Sequence, residues 1–413
     1  MALRVLLDDG PVGRLEIDSR RECVVFRFDE AWLERPDRPV LGRYFEDFEL
    51  DATREFVGFR TYPHNFFRNC LPEGVLRRIV DEEVPQATYR EYVLLGRLGE
   101  DLPGGLRITP DDIEAEPSAG AMAPGNLEPG RFRFSFTGAQ PKVPVRLGID
   151  DRATFPVHGQ GAHWIAKLES DGLPRLPENE FLVLSWARSC GLATPEFQIR
   201  PAAEIENLPV ELGDARGMAL LVRRFDRDGE RGRTHQEDFA QVFNVAPEAK
   251  YFDEGAPDDV NHATIGAVVR AACGRDDFHE YIRRVVFMLL SGNRDGHAKN
   301  WALIYPDGRR PRLAPCYDLV STIAYPRVRA RLALNLYTES DPFEALALRP
   351  QDITIRDLVR MARQAGEDER VAEEIIRTFS ARARSIWRGL PEACGAPEQV
   401  VAAIEENLRT LAV

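Results

Sequence analysis

The sequence predicts an α+β protein with a small β-rich N-terminal subdomain and a predominantly helical C-terminal lobe. Short runs of alternating or β-branched residues crowd the first half, at 3–8, 12–17, 23–28, 131–136, 143–147, 163–168, 197–199 and 218–222. Apolar residues at helical spacing dominate the second half, at 260–272, 278–290, 355–365, 368–387 and 398–411. Elements segregated along a chain in this way pack as α+β, because each must bury its apolar face against another layer. A stretch at 111–130, acidic and then rich in Pro, Gly and Ala, reads as a connection between units. The expected divisions are a subdomain at 1–115, a second strand-rich lobe at 116–222 and a helical lobe at 223–413.

With 413 residues the chain can build two or three lobes with real cores. Its six cysteines, at 23, 70, 190, 273, 316 and 394, show no CxxC spacing, which predicts free thiols in a reducing compartment. No apolar run approaches a membrane span, and Met1-Ala2-Leu3-Arg4-Val5 opens directly into a strand pattern, so the expectation is a cytoplasmic protein. The formal charge of −13 argues against non-specific DNA binding over the whole surface. It leaves room for a local basic patch or for a partner that carries the DNA contacts.

Taken in order, residues 3–8, 12–17 and 23–28 read as a small antiparallel sheet, interrupted after Pro36 and Pro39. Pro72 can start a helix through Val75, Leu76, Ile79 and Val80, and helical spacing continues at 94–98. Leu71, Pro72, Leu102, Pro103 and Gly104 read as core and turn residues, with no catalytic group expected among them. Thr137-Gly138-Ala139-Gln140-Pro141-Lys142 is a small-residue loop between two strand patterns. Such a loop can offer backbone N–H groups to phosphates, and it also fits an ordinary hairpin. Neither GxGxxG nor GxxxxGK[ST] is present, so no Rossmann or Walker reading is supported.

Lys167 follows the buried-looking pair Ile165-Ala166, and His163 has no second ligand at metal-binding spacing. Pro177 opens a helix through Phe181, Leu182, Leu184, Ala187 and Cys190, which Gly191 can close. Glu180 either orients Lys167 from this helix or simply favours the helix dipole. Arg224, Asp226 and Arg227 suit a salt-bridge knot, with Asp226 as scaffold. Thr234 and Glu237 carry a capping-box signature, and Tyr251 falls in a loop. Arg283 and Arg284 are expected on the outer face of their helix, and 332–336 reads as a short strand.

The most informative stretch runs from Leu289 to Asp318. Asn293, Asp295, His297, Lys299 and Asn300 follow an apolar helix and precede the strand-like Trp301-Ala302-Leu303-Ile304. Asp307-Gly308 would turn a hairpin whose second arm returns through Leu313 to Asp318. Phosphoryl transfer needs one carboxylate to orient and deprotonate a hydroxyl, and an Asn and a second Asp to hold magnesium against phosphates. Asp295 and Asn300 are five apart, the spacing of base and metal-binding Asn in a protein-kinase catalytic loop. Asp318 can be the second Asp, and hard oxygen ligands of this kind suit magnesium better than zinc. On spacing alone, a solvated and capped connection would look similar.

GNRDGHAKN followed by LAPCYDL closely resembles the catalytic stretch of the HipA-like serine/threonine kinases, the toxin family of bacterial toxin–antitoxin pairs. TGAQPK, RFDR, NFFRNCLPEG and LGEDLPGGLRI extend the resemblance over most of the chain. It implies a protein-kinase-like two-lobed fold, with residues 116–222 as the nucleotide-binding lobe, and the use of ATP and Mg2+. Asp295 is then the base, Lys167 the phosphate-binding lysine, and Asn300 and Asp318 the metal ligands. Lys299 would contact the transferred phosphate, and His297 would take a structural or substrate-side place near the nucleotide. Thr137, Gly138, Ala139 and Gln140 would approach ATP, and backbone groups of Val222, Arg223 and Arg224 would meet adenine at the hinge.

SFTGAQPK looks like the family's SxxGAQxK loop, which makes Ser135 an autophosphorylation site whose modification would eject the loop. Pro141 stands where the family often has Glu, Gly296 where it is commonly polar, and no DFG glycine or APE sequence follows Asp318. The resemblance further implies a small helix-turn-helix HipB-like antitoxin dimer as partner, with operator DNA contacted mainly through it. Glutamyl-tRNA synthetase is the family's known type of target. A kinase acting on a metabolite or on another protein, and a catalytically idle co-repressor, are the competing readings.

Overall fold

Five short strands close into an antiparallel sheet at the N-terminus: β1 (Leu3–Leu7), β2 (Gly10–Asp18), β3 (Cys23–Phe28), β4 (Glu55–Val57) and β5 (Leu106–Pro110), in the order β4-β3-β2-β1-β5. This computed structural model describes residues 2–8, 10–47, 55–84, 88–111, 140–156, 162–170, 172–208, 216–228, 232–251, 255, 257–326, 330–338 and 349–413. The strand expected at 131–136, most of the connection at 111–130, and Ser135, Thr137, Gly138 and Ala139 lie outside the described residues. In β1 the alternate residues Leu3, Val5 and Leu7 are buried, the period-2 pattern of a sheet with one covered face. Phe26 sits at the middle of that face, with its ring 4.7 Å from Phe28 and 5.0 Å from Phe67. Helices Asn65–Arg68, Gly74–Glu83 and Arg90–Leu98 belong to the same unit. The helix expected from Pro72 begins at Gly74, whose φ of +61° lets the chain turn where a side chain would be strained.

A second sheet holds β6 (Lys142–Leu147), β7 (Ala153–Thr154), β8 (Trp164–Lys167), β9 (Phe197–Pro201), β10 (Ile205–Glu206) and β11 (Met218–Arg223), in the order β10-β7-β6-β8-β11-β9. In its register Lys142 of β6 stands directly opposite Lys167 of β8. Two ammonium groups so placed repel unless an anion lies between them. The helix Leu176–Ser189 starts with Pro in its first turn, packs on this sheet and buries Glu180, while Gly191 follows its end at φ +82°.

The remainder is predominantly helical. A hairpin of β12 (Arg227–Asp228) and β13 (Gly232–Arg233) leads to a three-stranded sheet of β14 (His235–Asp238), β15 (Ala302–Tyr305) and β16 (Arg312–Leu313). Helices His262–Cys273, Arg275–Leu290, Ile355–Gln364, Glu369–Trp387 and Glu398–Thr410 form the body. Their core is joined by Trp186, whose ring lies 5.0 Å from Phe287 and 4.6 Å from Trp387.

Four local expectations are corrected. The capping box belongs to Asp238 and Gln241, because residues 235–238 pair with β15 as a strand and leave Thr234 outside the helix. The second long helix starts at Arg275, since Gly274 at φ +93° already separates it from its predecessor. Arg284 is 6% exposed and turned inward, donating to Ala314 O at 2.6 Å. Residues 332–336 form no strand; Asn335 O and Leu336 O instead accept from the first N–H groups of the helix His262–Cys273.

The six cysteines form no disulfide among the described residues, and among these residues no helix is long and apolar enough to cross a membrane.

Candidate active site

Asp318 provides the anion that the paired lysines require. Its carboxylate accepts from Lys142 Nζ at 3.0 and 3.1 Å and is hydrogen-bonded to Lys167, which is also ion-paired with Glu180. Asp318 adopts φ +52°, a conformation an Asp tolerates better than most residues. Lys167 is 4% exposed and Glu180 1% exposed. Burial alone would raise the Asp318 carboxyl, but Lys142 and Lys167 override it and hold it far below the usual carboxylate range. Burial likewise opposes the charge on Lys167, yet Asp318 and Glu180 keep its pKa up at about 12. Of the two readings of Glu180, the structure shows the ion pair with Lys167. Its neighbour Asn179 clamps the segment after Asp318, exchanging hydrogen bonds with Ser321 N and O at 2.9 and 3.0 Å.

The loop that carries Asp295 is fixed by its own polar residues. Asn293 Oδ1 accepts from Asp295 N at 2.9 Å, Asn300 Nδ2 donates to Asp295 O at 2.7 Å, and His297 N donates to the same oxygen at 2.8 Å. The Asp295 side chain accepts from Tyr251 Oη at 2.9 Å. Because Asn300 donates through its nitrogen, its amide oxygen is the atom left to take a hard cation. Gly296 is explained by the same packing: a Cβ there would lie 2.5 Å from Met288 Sδ.

His297 is not a base in this setting. Burial, reinforced by Lys250, pushes its pKa down to about 3, so the ring is neutral, edge-on to Tyr251 at 5.0 Å. Lys299, 3% exposed, is held by Asn69 O at 3.1 Å and Glu73 Oε1 at 2.6 Å. Glu73 also pairs with Lys250 at 2.5 Å. Burial would raise the Glu73 carboxyl, but Lys299 and Lys250 bring it down to about 2. The N-terminal subdomain therefore supplies one charged group, Glu73, to the lysines beside the cleft, where the sequence pointed only to core and turn residues.

At the hinge, Arg223 N and Arg224 N already donate to Glu196 O and His163 O, at 2.8 and 2.7 Å. Neither of these two N–H groups is left to meet a ligand. Asp226 is the expected scaffold residue. It accepts from Arg224, from Arg227 at 2.8 Å and from Gly104 N at 2.8 Å, while Arg227 reaches Asp101 at 2.6 Å. Burial opposes the Asp226 charge, and Arg224 and Arg227 outweigh it, so that it stays ionised far below the ordinary range. The subdomain is thus bolted to the hinge and to the lysine side of the cleft.

A cavity of about 130 Å³ opens between these elements, lined by Asn69, Pro103, Lys142, Lys167, Val222, Arg224, Lys299, Tyr317 and Asp318 among others. Asp295 and Asn300 do not line it; Asn300 and Asp318 meet at a smaller adjoining cavity. Among the described residues no three His, Cys, Asp or Glu side chains could hold a metal together. A hard cation taken by the amide oxygen of Asn300 and the carboxylate of Asp318 would need further oxygens from a bound polyphosphate or water. Of the small-residue loop, Gln140 is described and donates to Leu168 O at 2.9 Å. The sequence reading missed Lys142, Glu73 and Asn69, and named Tyr251 without a role. Lys142 alone had a signal, at the end of the TGAQPK motif.

Comparison with known proteins accounts for nearly the whole chain. Residues 3–109 match the family model of the HipA N-terminal domain, and residues 134–387 that of the HipA-like C-terminal domain. A Sinorhizobium fredii protein bearing the name "Putative kinase Y4dM" is 37% identical over 366 residues, covering 88% of this chain and 86% of its own. The serine/threonine-protein kinase toxin HipA of Shewanella oneidensis is 25% identical over 418 residues, covering 91% and 90%. The solved Shewanella oneidensis complex of HipA, HipB and operator DNA contains a chain that superposes with a TM-score of 0.70 at 21% identity, covering 99% of this chain and 96% of its own. That likeness establishes the mixed α/β fold as protein-kinase-like.

Proposed function

This chain belongs to the HipA family, and on that footing we propose that it is a cytoplasmic ATP-dependent protein serine/threonine kinase that acts as a growth-arresting toxin. The observation that carries this reading is the convergence of Lys142 and Lys167 on Asp318, which shares a cavity with Asn300, itself bonded to Asp295 O. Lys167, braced by Glu180, meets the α and β phosphates, and backbone groups of 222–224 meet the adenine. Asn300 and Asp318 would hold Mg2+, which would supply positive charge to screen the phosphates. Asp295 orients a Ser or Thr hydroxyl and accepts its proton as the new O–P bond forms. The bond from the γ-phosphorus to the bridging oxygen breaks, and ADP leaves. Lys299, once free of Glu73, steadies the transferred group, and neutral His297 packs the loop. Thr137, Gly138, Ala139 and Gln140 cover the phosphates, and phosphate on Ser135 shuts the enzyme down by adding about two negative charges to that loop.

The acceptor class is tested by incubating the purified protein with γ-labelled ATP, alone and with cell lysate. The expected result is label on lysate protein, with glutamyl-tRNA synthetase the first candidate, and on Ser135 by peptide mass spectrometry. Label confined to small molecules would instead establish a metabolite kinase, and no label at all an idle co-repressor. Heavy self-phosphorylation that spares Ser135 would remove the shut-down step.

The partner follows from the family: its solved relative sits in a complex of HipA, HipB and operator DNA, so a small helix-turn-helix antitoxin dimer of the HipB type supplies the operator contacts here too. A net charge of −13, poorly suited to reading DNA alone, agrees with this. Co-expression with the short gene beside it should give a stable complex, restore growth and make DNA binding depend on the small protein. A neighbour that neither binds nor protects refutes the toxin–antitoxin pairing while leaving the kinase intact.

A further inference from the structure

The geometry points to Tyr251 as the residue that positions the catalytic base, and to the N-terminal subdomain as what holds Tyr251 there. The inference rests on the reading of Asp295 as that base. Tyr251 Oη donates to Asp295 Oδ1 at 2.9 Å. A hydrogen bond donated to one oxygen of a carboxylate restricts the rotation of its plane. The Tyr251 ring is steadied on two sides. His297 stands edge-on to it at 5.0 Å, from the same loop as Asp295. Lys250 Nζ lies 5.5 Å from the ring centroid.

Lys250 is in turn ion-paired with Glu73, whose other oxygen takes Lys299 at 2.6 Å. Glu73 occupies the N-cap position of the helix Gly74–Glu83 but makes no capping bond there; its carboxylate is spent on the two lysines. A continuous set of contacts therefore runs from the subdomain through Lys250 and Tyr251 to Asp295. A base held within a narrow angular range gains rate through orientation, with no effect on how nucleotide binds.

Tyr251→Phe keeps the ring and removes the donor. Its kcat for phosphoryl transfer should fall about tenfold, as expected for losing one hydrogen bond to a charged group, with KM for ATP unchanged. Lys250→Met should lower kcat in the same direction. The double variant should fall no further than the worse single one, because both act through one carboxylate. Backbone amides at 293–300 should exchange with deuterium faster in Tyr251→Phe than in the parent, a readout that needs no activity.

Parent-like kcat in Tyr251→Phe, an increase in kcat, or losses that multiply in the double variant would each overturn the assignment while the kinase reading stands. A parent protein that transfers phosphate to nothing would defeat the kinase reading itself. The exchange measurement alone then decides whether Tyr251 orders this loop, and unchanged exchange rejects it.

Discussion

Asp318→Ala is expected to weaken magnesium-dependent nucleotide binding and to lower stability together. Asp318 lies between two lysines that strand pairing places face to face, and Lys167 is also paired with Glu180. Removing the carboxylate leaves Lys142 and Lys167 repelling across one ladder step. Breaking a fully buried ion pair costs about 3–5 kcal/mol, and because the Asp318 side chain keeps a quarter of its exposure, about 2 kcal/mol is the fitting expectation. Its depressed pKa sets the sign with pH. The stabilisation is complete above the ordinary carboxylate range near about pH 4, and is lost as acid drives a proton onto the folded protein. Calorimetry should show Mg-ATP affinity reduced by at least about tenfold, and the rise in Tm that Mg-ATP gives the parent should shrink. Unchanged affinity would remove Asp318 from the metal site.

Asp295→Asn should have the larger effect on rate and almost none on binding. The amide is the same size, and its oxygen can still accept from Tyr251, so the loop fixed by Asn293, Asn300 and His297 should hold its shape. What is lost is the capacity to take a proton from the substrate hydroxyl. General-base catalysis contributes about 10²–10⁴-fold, and kcat should fall within that range while Mg-ATP affinity stays within about twofold.

The local parts of this site were legible in the sequence, and the parts built by distant pairing were not. Asp295 and Asn300 lie in one loop, so their spacing carried their relation; the structure adds the Asn300 bond to Asp295 O. The pairing of Lys167 with Glu180 could be weighed because a strand and the next helix bring them together within 13 residues. The C-terminal helices followed from apolar spacing, with ends displaced where Gly274 at φ +93° sets the boundary. Lys142 reaches Asp318 only through the register of β6 on β8, which no short window contains. Glu73 and Lys299 are 226 positions apart, and nothing in NFFRNCLPEG separates a cleft residue from a turn residue. Thr234 had the residue types of a capping box, but pairing of 235–238 with β15 moved the helix start to Asp238. Tyr251 stands in a loop without periodicity, where only three-dimensional proximity to Asp295 gives it a role.

The central claim, that Asp295 directs γ-phosphoryl transfer to protein hydroxyls, is tested most directly by acid-quenched single-turnover transfer from γ-labelled ATP. Parent protein and Asp295→Asn would be run side by side with lysate acceptors. The account predicts label on Ser or Thr in the parent, at a rate about 10²–10⁴-fold above the variant, with both proteins binding Mg-ATP alike. Equal rates in the two proteins, or label that leaves ATP only as inorganic phosphate, would contradict it.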